Sequence, residues 1–160
     1  MTNQHQESLE ALMLRPQVDD RTAEQLSGSL KRRVLVVDDD LDDLLYYSAV
    51  LQHHGYEVRS IASYSDGATC LDREDFDLII VSQGSSGFEG RRVLARAIEK
   101  DRHTPVLVFT RSVEMSCYLE AIQSGALDYI EKPLSPSEIG KLVAKHLRTH
   151  LGIAGLHEDA

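Results

Sequence analysis

Short apolar runs alternate along the chain with longer segments in which apolar residues recur every three or four positions, beginning at Lys31. Short runs rich in β-branched side chains are typical of strands in a parallel sheet, and the recurring pattern is typical of amphipathic helices. The pattern predicts strands over 33–37, 57–61, 77–81, 105–109 and 127–130. It predicts helices over 41–54, 65–73, 90–101 and 112–124, and a last helix that opens at Ser135 or Ser137.

Strands that alternate regularly with helices predict an α/β fold. Each connection between strands contains a helix, so the strands are expected to be parallel, with helices on both faces of the sheet. In such doubly wound sheets, ligands bind beyond the carboxyl ends of the strands, at the switch in strand order. The residues directly after each predicted strand are therefore the candidates for function.

These candidate residues are polar or charged: Asp38, Asp39, Asp40, Ser82, Thr110, Arg111 and Lys132. Adjacent carboxylates repel each other, and a hard divalent cation such as Mg²⁺ or an opposing lysine would offset that repulsion. Asp40 is placed to cap the helix that follows it. We expect Asp38 and Asp39 to point into a pocket rather than only to favour the helix dipole.

Composition narrows the classes of protein to which the chain could belong. The 160 residues carry a net charge of −9, which argues against binding to nucleic acid or to an anionic membrane. No long apolar run and no basic leader is present, so a cytoplasmic location is expected. Cys70 and Cys117 fit neither a disulfide framework nor a zinc site, and we expect both to be reduced and at least half-buried.

Composition also suggests three segments. Residues 1–30 form an acidic segment, which predicts either a mobile leader or a docking helix built on Leu9, Leu12 and Met13. The folded domain is expected over 31–149, followed by a C-terminal tail over 150–160.

Four segments carry a resemblance to one family: VLVVDDD at 34–40, DLIIVSQGSSGFEG at 77–90, PVLVFT at 105–110 and GALDYIEKPLSPSEI at 125–139. Together, in this order and spacing, they resemble the receiver domain of bacterial two-component response regulators across residues 33–148. The Lys-Pro pair, with a glycine seven residues before the lysine, is the most characteristic of these motifs for the family. The resemblance implies a flavodoxin-like (βα)5 fold with strand order 2-1-3-4-5 and a role in phosphorelay signal transduction.

The resemblance also implies a role for each matching residue. Asp39 would bind Mg²⁺ directly and Asp38 through water. Thr110 would bond a phosphoryl oxygen, and Lys132 would pair with the phosphoacceptor and the phosphoryl group. The peptide bond after Lys132 is expected to be cis. Tyr129 would be the switch aromatic that turns inward when Thr110 moves.

One position departs from the family. Ser82 stands where the family has its phosphoacceptor aspartate, and the register counted from either side gives the same position. A serine hydroxyl is a poor nucleophile unless a base activates it, and no histidine follows a strand end. Loss of one carboxylate also weakens any Mg²⁺ site. The sequence therefore predicts a pseudo-receiver that is not an enzyme, is not phosphorylated on aspartate and requires no cofactor, with Mg²⁺ binding weakly at best.

Such a receiver would act by binding protein. The resemblance implies a kinase or a downstream regulator on the face of the fourth helix, fifth strand and last helix, which here includes Met115, Tyr118, Tyr129, Lys141 and Lys145. A homodimer is a further option. No output domain follows, so a receiver that acts alone is expected. Arg111 either gates the pocket, neutralising Asp38 or Asp39, or extends into solvent.

Three alternatives remain at this stage. Ser82 could accept phosphate by unusual chemistry, or the altered pocket could sense a small molecule. A flavodoxin-type enzyme is disfavoured, because acids after the first strand would repel a phosphate. His146 and His150 lie four apart on the last helix, a spacing that suits either a metal site or two exposed side chains near a chain end.

Overall fold

The computed structural model describes the backbone of residues 31–159 and the side chains of residues 31–148. The acidic segment 1–30, with its predicted docking helix, lies outside the described residues. The strands are β1 (Arg33–Val37), β2 (Glu57–Ile61), β3 (Leu78–Ser82), β4 (Val106–Thr110) and β5 (Asp128–Glu131). The helices are α1 (Leu41–His53), α2 (Tyr64–Leu71), α3 (Arg91–Lys100), α4 (Met115–Gln123) and α5 (Pro136–Asp159).

The strands form one parallel sheet in the order β2-β1-β3-β4-β5, which confirms the predicted flavodoxin-like topology. Alternate residues of each central strand face opposite sides. Val34 and Val36 of β1 pack with α1 and α5, whereas Leu35 and Val37 pack with α2, α3 and α4. The three central strands are almost wholly buried, and β2 and β5 are partly exposed at the edges.

Side-chain caps fix where several helices begin. Asp40 caps α1 as predicted, accepting a hydrogen bond from the Asp43 N–H at 3.1 Å. Ser135, rather than Ser137, precedes α5. Its hydroxyl accepts from the Glu138 N–H at 3.1 Å while Glu138 accepts from the Ser135 N–H at 2.9 Å, so the pair forms a capping box.

The remaining differences between the predicted and the observed strands and helices lie at their ends. β3 and β4 each end one residue later than predicted, so Ser82 and Thr110 are the last residues of strands rather than the first of loops. α4 begins at Met115 instead of residue 112. α5 continues to Asp159, through residues where the sequence predicts a tail. Cys70 and Cys117 are buried and form no disulfide bond, as expected.

Candidate functional site

The carboxyl edge of the sheet brings the predicted residues together. Asp38, Ser82, Thr110 and Lys132 come from β1, β3, β4 and the end of β5, and all four are buried. The chain order places β1 and β3 side by side, which makes this edge the switch point. The peptide bond between Lys132 and Pro133 is cis, as the resemblance implies.

Lys132 is the centre of an ionic network. Its ammonium donates to Asp38 Oδ2 at 2.7 Å, to Asp43 Oδ2 at 2.9 Å and to Ser82 Oγ at 3.3 Å. An ammonium has three N–H donors, so all three are engaged. No N–H of Lys132 is left for a further oxygen unless one of these bonds breaks.

Burial and these hydrogen bonds together shift the pKa values of Asp38 and Lys132. Burial raises the pKa of Asp38, although the hydrogen bond from Lys132 opposes that shift. Burial alone would lower the pKa of Lys132, but its bonds to Asp38 and Asp43 outweigh burial and raise it. Lys132 is therefore cationic and cannot accept the proton of Ser82, which excludes a Ser–Lys nucleophile at this position.

Asp43 is a member of this ionic network that sequence reasoning missed. It lies in the first turn of α1, three residues after the cap Asp40; it accepts a hydrogen bond from Lys132 and forms an ion pair with Arg111. Arg111 pairs with Asp43 at 2.8 Å and with Asp40 at 3.0 Å. The sequence left open whether Arg111 neutralises Asp38 or Asp39 or extends into solvent; its ion pairs are with Asp40 and Asp43, and its side chain is 62% exposed. Helical spacing alone could have signalled that Asp43 lies beside Asp40.

Tyr64, the first residue of α2, contacts the cluster beside Asp39 and Ser82. Its hydroxyl donates to Asp39 Oδ1 at 3.0 Å and also lies beside Ser82. Burial, together with the nearby carboxylate, raises the pKa of this phenol well above its ordinary value. A Cβ at Gly84, whose φ is +85°, would lie 3.1 Å from the Tyr64 hydroxyl and 2.5 Å from Glu89 Oε1, so only glycine fits here.

The donor set does not fit a magnesium ion. Asp38 Oδ2 is bound by Lys132, and Asp38 Oδ1 accepts from the Asp40 N–H at 3.0 Å. Asp39 is bonded by Tyr64, and Ser82 is neutral. Mg²⁺ requires near-octahedral oxygen donors, mostly carboxylates and water. Within residues 31–148, no group of three or more His, Cys, Asp or Glu residues is arranged to hold a metal ion.

Thr110 and Tyr129 are engaged away from Ser82. The Thr110 hydroxyl donates to the Ser112 carbonyl at 2.8 Å, inside the turn that precedes α4. The Tyr129 hydroxyl donates to Gln83 Oε1 and accepts from the Glu114 N–H at 3.3 Å. Thr110 is therefore held by a local bond and Tyr129 by bonds to two distant segments, and neither hydroxyl bonds Ser82.

The predicted protein-binding face is only partly as expected. Large exposed apolar side chains cluster on and beside α4: Val113, Met115, Tyr118, Leu119, Ile122 and Leu127. Lys141 instead lines a groove between α1 and α5 that also contains His54 and Tyr56. A second exposed apolar group, Leu41, Leu45 and Tyr46, lies on α1.

His146 is buried, not exposed near a chain end. Only 9% of it is accessible, and its Nε2 lies 3.8 Å from Asp128 Oδ2 without a hydrogen-bond partner. Burial lowers its pKa, an effect that Asp128 opposes and Lys145 reinforces. The side chain of His150 lies outside the described residues, so the predicted histidine pair is not tested.

The fold and this carboxyl-edge cluster define a receiver-type α/β domain. The model of the response regulator receiver domain matches residues 34–144, and this chain belongs to that family. It is thus a receiver domain of two-component signalling. Proteins of this kind interact with kinases and downstream regulators.

Curated relatives are longer than this chain. The alginate biosynthesis transcriptional regulatory protein AlgB of Pseudomonas putida is 32% identical over 115 residues, which are 72% of this chain and 26% of AlgB. The transcriptional regulatory protein HprR of Escherichia coli is 28% identical over 134 residues, covering 80% of this chain and 60% of HprR. The chain spans only about a quarter of AlgB, so nothing about the output of AlgB transfers to it directly.

Solved structures agree on the fold. The signal receiver domain of a LuxO repressor protein from Vibrio parahaemolyticus has a TM-score of 0.69 and 26% identity, covering 80% of this chain and 98% of that chain. A CheY-like receiver domain protein from Methanospirillum hungatei has a TM-score of 0.72 and 24% identity, covering 76% and 98%. Among the residues described, no helix is long and apolar enough to cross a membrane.

Proposed function

We propose that this chain is an atypical receiver that signals by binding protein and is not activated by phosphorylation of an acceptor aspartate. One observation carries the proposal: Ser82 holds the acceptor position, and its hydroxyl is bonded to a lysine whose other N–H groups are bound by Asp38 and Asp43. The side chain at the acceptor position is therefore neutral, buried and without a base that could activate it.

The surroundings of Ser82 support the same reading. Tyr64 bonds Asp39, and both oxygens of Asp38 are engaged, so a metal ion would have to displace existing bonds. Arg111 supplies a second positive charge at the edge of the cluster. Lys132 and Arg111 thus take over the charge balance that a divalent cation would otherwise provide.

The binding surface proposed is the apolar face of α4 with its flanks, Val113, Met115, Tyr118, Leu119, Ile122 and Leu127. Met115, Tyr118, Leu119 and Ile122 recur at helical spacing along α4, and exposed apolar side chains grouped on one face are typical of an interaction site. We assign it to a protein partner, a kinase or a downstream regulator. A second copy of this chain is the competing occupant, and sedimentation of the isolated chain distinguishes the two.

The test is a two-dimensional amide NMR spectrum of the chain, recorded free, with Mg²⁺, and with Mg²⁺ and beryllofluoride. Beryllofluoride binds a carboxylate as a phosphoryl mimic, so the native chain is expected to show no response. Ser82→Asp is the matched variant, because it restores a carboxylate at the same position and is expected to respond at Thr110 and along α4.

Two results would contradict the proposal. Shifts at Thr110 and α4 in the native chain on addition of beryllofluoride would show that Ser82 does not prevent activation. Acid-stable phosphate on Ser82 after incubation with a phosphodonor would show that the serine itself accepts phosphate. Either result would make a cognate kinase the next object of search.

A further inference from the structure

Three residues from separate parts of the fold form a closed ring of hydrogen bonds. The Tyr129 hydroxyl in β5 donates to Gln83 Oε1, just after β3. Gln83 Nε2 donates to Glu114 Oε2 at 3.1 Å, and the Glu114 N–H donates back to Tyr129 Oη at 3.3 Å. Each residue donates to the next, and bonds arranged in this way strengthen one another.

The amide of Gln83 has only one favourable orientation in this ring. Its Nε2 also donates to the Ser85 carbonyl at 3.1 Å, so both N–H bonds go to oxygen acceptors. A flipped amide would set its own oxygen against the Glu114 carboxylate and the Ser85 carbonyl. The direction of the bonds around the ring is therefore determined by the acceptors that face Gln83.

Gln83 is well placed to hold other groups. It is only 2% exposed, and its backbone is fixed on both sides. Its N–H donates to the Phe109 carbonyl at 2.7 Å, and its carbonyl accepts from the Gly90 N–H at 3.1 Å. A Cβ at Gly90 would lie 2.1 Å from the Ser82 carbonyl, so this close approach requires glycine. Little further ordering is needed for the Gln83 side chain to bond its partners.

Glu114 connects the ring to the apolar face of α4. It is the N-cap residue of α4, yet its side chain forms no capping bond to the helix. Instead its carboxylate accepts from Gln83 and from Cys117 Sγ at 3.4 Å. Met115 and Tyr118 follow in the first turn, and the Tyr118 ring packs edge-on against Tyr129 at 5.7 Å. The position of this turn is thus set by bonds from β3 and β5.

We propose that Gln83 is a positioning residue that holds Tyr129 and the first turn of α4 in one arrangement without any phosphate on its neighbour Ser82. The consequence, which rests on the proposed function, is that the α4 face is presented constitutively. Gln83 links the residue after the degenerate acceptor position to the surface that binds the partner.

The experiment compares hydrogen exchange of assigned amides in the native chain and in Gln83→Leu, Gln83→Glu and Tyr129→Phe. The Glu114 amide reports the ring directly, because its N–H donates to Tyr129. We expect its protection to fall about tenfold in Gln83→Leu and in Tyr129→Phe, as for the loss of one hydrogen bond. Gln83→Glu keeps the acceptor for Tyr129 but places a carboxylate against Glu114, so the Tyr129 signals should move less than those of Glu114.

Two internal references separate positioning from general stability. The amides of Val36 and Ile80, in the central strands, report overall stability, and their protection should fall less than that of Glu114 in every variant. Gln52→Leu makes the same substitution at an exposed position on α1 and should leave the Glu114 amide unchanged. If Gln83→Leu does not fold, Gln83→Glu and Tyr129→Phe, which alter single polar groups, provide the same test.

Unchanged protection at Glu114 in Gln83→Leu and Tyr129→Phe would overturn the proposal. So would an equal loss at Val36 and Ile80, because Gln83 would then serve overall stability only. None of these measurements uses a phosphate mimic or a partner. A native chain that responds to beryllofluoride would therefore refute the proposed function and leave the outcome for Gln83 to be decided separately.

Discussion

Ser82 and Gln83 are adjacent in sequence, but they belong to two networks of opposite character. On the α1 side of the sheet edge, Lys132 and Arg111 are surrounded by Asp38, Asp40 and Asp43. On the α4 side, the ring of Gln83, Tyr129 and Glu114 contains a single carboxylate and no cation. One network is held by charge, and the other by the direction of its donors and acceptors.

The difference predicts how each network responds to substitution. Buried charges are expensive to leave unpaired, so removing one partner of the ionic network leaves another charge uncompensated. A ring of neutral donors loses about one net hydrogen bond per deletion. The ionic side should therefore dominate stability, whereas the ring should affect the position of α4 more than the free energy of unfolding.

Lys132→Met should have the largest effect. The variant leaves Asp38, which is 3% exposed, without its cation, and we expect the free energy of unfolding to fall by about 3–5 kcal/mol. Urea denaturation measures this. Lys141→Met is the matched control, because Lys141 lies on an exposed groove and should change stability by less than about 0.5 kcal/mol. Equal effects of the two substitutions would contradict the contrast between the networks.

Sequence reasoning recovers the fold and most of the ionic side. Strand and helix periodicity predict every element over 31–148, and the strand ends identify Asp38, Ser82, Thr110 and Lys132. These assignments succeed because each depends on local pattern and on a general rule about parallel sheets. The ends of elements are shifted by one to three residues, since caps and turns depend on individual side chains.

Neither the ring of hydrogen bonds nor the contact of Tyr64 with Asp39 could be predicted from the sequence. Gln83 and Glu114 are 31 residues apart, and nothing in either segment indicates that their side chains meet. In the sequence, nothing distinguishes Tyr64 from any other residue at the start of a predicted helix. Such contacts depend on how loops return over the sheet edge, which periodicity does not determine. Of the residues that were missed, only Asp43 could have been predicted, because its spacing from Asp40 places both on the same side of α1.

Tyr64 is expected to oppose metal binding through its hydrogen bond to Asp39. In the Ser82→Asp background, Tyr64→Phe frees Asp39 Oδ1 from its hydrogen bond. We expect Mg²⁺ to bind roughly three- to tenfold more tightly than in Ser82→Asp alone, as for one net hydrogen bond. Amide shifts of Asp39 and its neighbours during a Mg²⁺ titration give the affinities.

Tyr46→Phe is the control for that comparison, because the Tyr46 hydroxyl bonds the Leu134 carbonyl and does not touch Asp39. It should leave the Mg²⁺ affinity unchanged. Unaltered affinity in Tyr64→Phe as well would mean that the bond to Asp39 does not limit metal binding, and that Lys132 and Arg111 alone do.

A buried histidine outside both networks gives the third comparison. Burial lowers the pKa of His146 below its ordinary value of 6.5, so the folded state takes up a proton less readily than the unfolded state. Its contribution to stability is present above pH 6.5 and is lost as the pH falls through the lower folded-state value. The free energy of unfolding should decline less on acidification in His146→Gln than in the native chain.

The effect of His146 is the difference between two curves of the free energy of unfolding against pH, one for the native chain and one for His146→Gln. Asp38 has a raised pKa and therefore favours the folded state on acidification, the opposite sign from His146. Subtracting the His146→Gln curve from the native curve removes this common contribution. Parallel curves between pH 7.5 and 5.5 would show that Asp128 already compensates both the burial of His146 and the charge of Lys145.

Arg111 should have the smallest effect, although it makes two ion pairs in the ionic network. Its side chain is 62% exposed, so solvent screens both pairs, and exposed pairs contribute about 0–1 kcal/mol. Arg111→Gln should lower the free energy of unfolding within that range, and about 0.5 M salt should remove most of the difference. A loss above about 2 kcal/mol that persists in salt would place Arg111 with Lys132, because only a desolvated charge keeps such a cost when ions screen the solvent.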